Sequence, residues 1–291
     1  MRICRFNDDR LGLVVDGTNV RDVTAALDAL PCYRYPLPPF DALIANLEQV
    51  TARIRAVAER SPLLALSDLK LLSPVANPGK QIAAPVNYQK HLDEVRASAQ
   101  LHHGNPIPVI QRAGLFLKAN SSLVGPGQGI ALRKLDRRND HEVELALVIG
   151  KRASHVGRRE ALDVVAGYCI GLDITIRGPE DRSLRKSPDS YSVLGPWLVT
   201  ADEIPDPGGL DLRLWVNGEL RQQSNTRDLI LGIPELLEYA SSFYTLLPGD
   251  VVFTGTPEGV GPIQPGDRIT ASIAGIGKMD VEVRAAPARV E

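Results

Sequence analysis

Cysteine is scarce in this 291-residue chain: only Cys4, Cys32 and Cys169 occur. Three thiols with no short spacing close no disulfide framework and match no zinc-ligand set. A reducing, cytoplasmic compartment is expected. Long apolar runs are also missing, since none nears the roughly 18 residues a membrane span requires. The opening MRICRFNDDR turns acidic before a secretory apolar region can form, so no export signal is expected. Nor is there an excess of either charge: 33 Lys+Arg stand against 35 Asp+Glu, a net −2. That balance lacks the footprint of a protein that neutralises many phosphates, which excludes nucleic acid as a first expectation. Nucleotide loops fail as well. GTPEGVG (255–261) lacks the Gly-Lys-Ser/Thr ending of a P-loop, and GPGQG (125–129) opens no helix. No G-x-S-x-G elbow, internal repeat or low-complexity tract is found.

What is present is ordinary globular usage, 44% hydrophobic and 23% charged residues. The length fits two domains, or one large β-rich domain with an appendage. Residues 1–75 read as a small α+β unit. Asp16-Gly17 sits between β-branched runs as a hairpin turn. Leu43, Leu47, Val50, Ile54 and Val57 form one stripe at helical period, with Asp41 as N-cap and Ser61-Pro62 as stop. Residues 67–80 cross into a second unit, taken as 76–291. There the pattern is short strands between Gly/Pro turns: 142–150, 167–176, 210–223 with Asn217-Gly218 as a hairpin turn, 250–257 and 268–284. Helices are expected near 157–165 and 234–244, the latter with Pro234 in its first turn. Many strands and few helices predict a mainly β fold with some α, a mixed sandwich or roll rather than an alternating parallel α/β layout.

The most informative stretch is EVELALVIG (142–150). On a strand, Glu142 and Glu144 share a face, while Val143, Leu145, Leu147 and Ile149 line the other. Ala146 and Val148 continue the acidic face with apolar side chains, so the strand reads as buried on both sides. Two buried carboxylates repel unless a cation neutralises them, and a hard divalent metal with oxygen ligands resolves that conflict. Asp173, in the apolar GYCIGLDITI, shares a face with Thr175 and Arg177. It is either a partner of Arg177 or a third ligand beside Glu142 and Glu144. If NYQKHLDE (87–94) is helical, His91 and Glu94 meet at i, i+3, where a carboxylate on one imidazole nitrogen leaves the other free as a general base. Such pairs are also common on any helix surface. Lys186 is either an ordinary exposed lysine or a cation facing the site. His102, His103, His141 and His155 sit in polar surroundings and read as surface residues. The run Arg133, Lys134, Arg137 and Arg138, interleaved with Asp136 and Asp140, reads as solvated surface.

Together these pieces resemble the fumarylacetoacetate hydrolase family, in its shorter bacterial acylpyruvate-hydrolase-like branch. The resemblance runs through NYQKHLDE, LFLKANSSLVGPG, DHEVELALVIGK, the Asp173 strand, RKSPDSYSVLGP, WVNGELRQQSNTRDLI, PGDVVFTGTPEGVG and GIGKMDVEV, over about residues 80–285. It implies a mixed β-sandwich roll, dimeric, preceded by a small N-terminal domain. It implies one Mg²⁺ or Mn²⁺ held by Glu142, Glu144 and Asp173, and a water-activating dyad of His91 and Glu94. Lys186 would act with them, and Arg177 and Thr256 would contact a keto-acid substrate. The chain departs from the family where Gly178-Pro179 follows Arg177 and where Pro188 replaces an aromatic. The implied reaction is hydrolysis of a C–C bond in acylpyruvates or related 2,4-dioxo acids. Oxaloacetate decarboxylation, and isomerisation or hydration of unsaturated 2-oxo acids, are the alternatives on the same scaffold. A binding protein that kept the fold is a third, disfavoured because a binder needs no base.

Overall fold

The computed structural model describes residues 1–287. Its largest element is a mixed 12-stranded sheet. Through its centre, Arg2–Phe6, Ser192–Thr200, Val165–Asp173, Val143–Ile149 and Val251–Phe253 follow one another in antiparallel pairs. Gln81–Ala83 then lies parallel to Val251–Phe253. A 5-stranded sheet joins the hairpins Asp211–Val216/Glu219–Asn225 and Arg268–Ile273/Gly277–Ala285 to Ile130–Leu132. A 3-stranded sheet centres on Asn139–His141. This is the mixed β architecture that the spacing of short strands implies.

Val143–Ile149 is buried along its whole length. Val143, Leu145, Leu147 and Ile149 enter one hydrophobic cluster, and Ala146 and Val148 enter another. With both faces covered, the strand has no reason to alternate in polarity. Gly171 stands directly across from Glu144 in the neighbouring strand. A Cβ there would lie 2.7 Å from the Phe253 ring and 3.3 Å from Ala146 Cβ, so glycine is what lets that ring pack against the strand pair.

Both hairpins form. Asn217 and Gly218 take φ of 51° and 83°, the left-handed pair that a two-residue turn requires. At Asp16-Gly17 only Gly17 is left-handed. The loop there is longer, because Asp16 Oδ1 accepts from the amides of Thr18 (2.9 Å) and Asn19 (2.8 Å) in an Asx-type turn. The helix expected over the Leu43–Val57 stripe is split into Ala42–Ala45 and Leu47–Val57. The amide of the intervening Asn46 side chain donates to Ala42 O at 2.7 Å. Asp41 is the N-cap, accepting from Ile44 N at 3.1 Å. Ile233–Phe243 is helical, with Pro in its first turn. Near 157–165 only a 3-10 turn forms, Ala161–Val164. Gly150 N bonds Val164 O at 2.7 Å, drawing the β-branched end of this segment into the sheet. The N-terminal strands extend the large sheet through Arg2–Phe6.

Candidate active site

Glu142, Glu144 and Asp173 converge as the paired strands predict. All three are buried, and one carboxylate oxygen from each lies within 4.8 Å of the others. Asp173 N donates to Glu142 O at 2.9 Å, so the last bond of the strand pair fixes the two segments at this end.

Three cations surround the carboxylates. Lys186 Nζ donates to Glu142 Oε2 (2.7 Å), Asp173 Oδ2 (2.7 Å) and Thr175 Oγ1 (2.6 Å). Lys118 Nζ donates to Asp173 Oδ1, and to Tyr191 O at 2.9 Å. Arg177 reaches Glu142 Oε1 at 2.9 Å and Asp140 Oδ2 at 2.7 Å. The two glutamates are thereby set apart. Burial acts to raise the Glu142 carboxyl, but Lys186 and Arg177 overcome it and bring it down to about 2. Burial, and after it the charge of Asp173, push the Glu144 carboxyl well above the ordinary carboxylate range. Burial also pushes the Lys118 ammonium below its usual range, against the pull of Asp173. Among the described residues no lysine or arginine pairs with Glu144, whose Oε2 accepts only from Gly255 N, at 2.6 Å. An all-oxygen donor set with one buried carboxylate left without a counter-charge fits a hard divalent cation.

The helix Gln89–Ala97 forms over NYQKHLDE and buries His91. His91 Nδ1 faces Glu94 Oε2 at 2.8 Å, and Glu94 Oε1 accepts from Gly259 N at 3.0 Å. The dyad is therefore tied to the loop that follows Thr256 rather than free on a helix surface. Thr256 is buried, its hydroxyl accepting from Gln222 Nε2 at 2.8 Å.

Two surface assignments are corrected. His141 is fully buried because Asn139–His141 is the middle strand of its sheet. Burial lowers its imidazole from the usual range. Asp140 is likewise buried and accepts from Arg138 Nε (2.6 Å) and from Arg177, so this part of the basic run is an internal ion network. Arg137 holds Glu180 at 2.8 and 2.9 Å. Two residues of the site carried no expectation. Lys118 closes an apolar strand (LFLK), a position where a buried cation is legible only once Asp173 is known to face it. Gln222 uses its whole amide: Oε1 accepts from Val143 N (3.0 Å) and His141 Nδ1 (3.2 Å), and Nε2 donates to Thr256 Oγ1 and Pro257 O (2.9 Å). It ties the start of the glutamate strand to the 254–258 loop. Nothing in the sequence separates it from the neighbouring Gln223.

A mixed β fold that gathers three buried carboxylates beside lysines and a His–Glu pair offers an all-oxygen site of the kind that metal-dependent hydrolases use. Residues 80–284 match the model of the fumarylacetoacetate (FAA) hydrolase C-terminal domain, and the chain belongs to that family. It is 60% identical over 286 residues to maleylpyruvate hydrolase of Aquipseudomonas alcaligenes, covering 98% of this chain and 99% of that one. The crystal structure of maleylpyruvate hydrolase from Sphingobium sp. SYK-6 in complex with manganese(II) ion and pyruvate is similar at 41% identity and a TM-score of 0.83, covering 99% of this chain and 100% of that one. An oxaloacetate tautomerase of Xenopus laevis is 35% identical over 274 residues, covering 90% of this chain and 81% of that one. No helix of the described residues is long and apolar enough to cross a membrane.

Proposed function

We propose that this chain is a Mg²⁺- or Mn²⁺-dependent hydrolase that cleaves the C–C bond of an acylpyruvate, with maleylpyruvate as the leading substrate. The observation that carries the reading is Glu144, a buried carboxylate without a cationic partner beside Glu142 and Asp173. These three would hold the ion. When bound, the ion supplies Lewis acidity toward the adjacent carboxylate and keto oxygens of a 2-oxo acid.

The remaining work falls to the chain. His91, oriented through Nδ1 by Glu94, takes a proton from water at Nε2. The water oxygen bonds to the distal carbonyl carbon of the substrate. The bond between that carbon and the pyruvate methylene then breaks, leaving its electron pair on pyruvate as the enolate, and Lys186 stands by to stabilise the enolate oxygen. The His91 proton returns to the methylene carbon, so one substrate and one water give a carboxylic acid and pyruvate. Arg177 and Thr256 would complete the pocket. In this reading residues 76–291 are the catalytic domain and residues 1–75 a support along the edge of its sheet, and the assembly is a cytoplasmic homodimer.

A product-resolved assay with maleylpyruvate and oxaloacetate, run with Mn²⁺ and after exhaustive chelation, tests the reading. Maleate and pyruvate should appear only with metal. His91→Ala should reduce their release far more than it reduces oxaloacetate decarboxylation. Metal-independent cleavage, or enol–keto interconversion of oxaloacetate without any cleavage of maleylpyruvate, would reject it.

A further inference from the structure

One charged feature beside the acidic cluster is not used by the reaction as written. The short helix Arg182–Arg185 leads straight into Lys186, whose backbone N–H donates to Arg182 O at 2.9 Å. Residues four apart on a helix leave the same face with their Cβ atoms about 5–6 Å apart, so Arg182 lies one turn from the lysine that bridges Glu142 and Asp173. The arginines around it are occupied. Arg137 holds Glu180, Arg177 holds Asp140 and Glu142, and Arg185 donates to Glu180 O (2.7 Å) and Ile176 O (3.1 Å). Arg182 is half-buried, and no described residue accepts a hydrogen bond or ion pair from its guanidinium. A guanidinium drawn partly out of water without an acceptor is costly, which points to a ligand that supplies one.

Arg182 and Arg185 line a cavity of about 360 Å³ together with Leu101, Pro106 and Ile107, and with the polar His102 and Asn105 of the same segment. Its acidic lining is already bound, Glu180 by Arg137 and Asp181 by Ser183 N at 2.7 Å. What remains is a pocket with a positive end and an apolar side. Burial lowers the Arg182 guanidinium from its usual range, while Asp181 and Glu142 oppose that.

We propose that Arg182 binds the far carboxylate of the substrate's acyl chain. The enzyme would then select acylpyruvates that end in a second carboxylate over those that end in a methyl group. A guanidinium presents two parallel donors to a carboxylate, and the apolar wall suits the carbon chain between the two charged ends. This inference rests on the acylpyruvate reading.

The test compares kcat/KM for maleylpyruvate and acetylpyruvate, with Mn²⁺ present, in the wild type, Arg182→Gln and Arg182→Lys. The wild type should favour maleylpyruvate. Arg182→Gln should lower the ratio of the two kcat/KM values by about tenfold or more, chiefly through a higher KM for maleylpyruvate. Arg182→Lys should fall between, because a point charge replaces a fork. An unchanged ratio, whether both substrates are spared or both lose equally, overturns the proposal while leaving acylpyruvate hydrolysis standing. A wild type that cleaves both equally well also overturns it. A wild type that cleaves neither removes the acylpyruvate reading, and this inference with it.

Discussion

The strand Val143–Ile149 is buried at both ends, but each end meets a different physical problem. From Leu145 to Ile149 both faces are dry, and apolar side chains of two clusters meet across the sheet. At Glu144, and at Glu142 just ahead of the strand, the chain carries carboxylates that are equally hidden from water, held by Lys186, Arg177 and the amide of Gly255. The dry end is held by contact area and can lose a methylene at a graded cost. The charged end is held by matched pairs, where loss of one member leaves another uncompensated. In the proposed reading stability resides in one half of the element and chemistry in the other, and they should separate under mutation.

The largest separation is expected at Asp173→Asn. It removes one proposed ligand and leaves Lys118 and Lys186 with less negative charge between them. Metal-dependent turnover should fall by more than the 10- to 100-fold typical of residues that only orient a ligand. Initial rates at saturating Mn²⁺ measure this, and a variant with wild-type rates would remove Asp173 from the ligand set. At the dry end, Leu147→Ala should cost about 2–5 kcal/mol in unfolding free energy. Urea denaturation reads that loss, while the folded fraction should keep its turnover per molecule. A matching loss of turnover would mean the two halves are not separable.

The smallest effect concerns protons. Glu144 is held above the ordinary carboxylate range, so protons compete with a cation there, whereas Glu142 at about 2 stays ionised. A group with a raised pKa gives up metal affinity as pH falls. Mn²⁺ binding should therefore weaken from about pH 7 to about pH 5, by at most roughly tenfold per unit. Binding should also release protons into weak buffer. Calorimetry in buffers of different ionisation enthalpy reports both, and a flat, proton-neutral profile would put the uncompensated carboxylate elsewhere.

The sequence was most informative where periodicity met an anomaly. Two glutamates at i, i+2 at the head of an apolar strand are a local pattern, as are Asp173 among small and apolar neighbours and His91 three residues before Glu94. Lys118 and Gln222 were not legible, because each gains its meaning from partners far away in the chain, Asp173 for one and Val143 with Thr256 for the other. His141 and Asp140 were misplaced for the same reason: polar neighbours in sequence do not reveal a strand paired on both edges. The 3-10 turn at Ala161–Val164 shows a β-branched end pulled into a sheet against its local helical pattern.

Gly171 gives this architecture a vulnerable point that carries no side chain of its own. It faces Glu144 across the strand pair and leaves space for the Phe253 ring, and two residues beyond that ring Gly255 holds the Glu144 carboxylate. Drift to alanine at position 171 would lever the aromatic outward and drag the glutamate's anchor with it. A lineage could thus go silent while every acid, base and lysine of its chemistry survived intact.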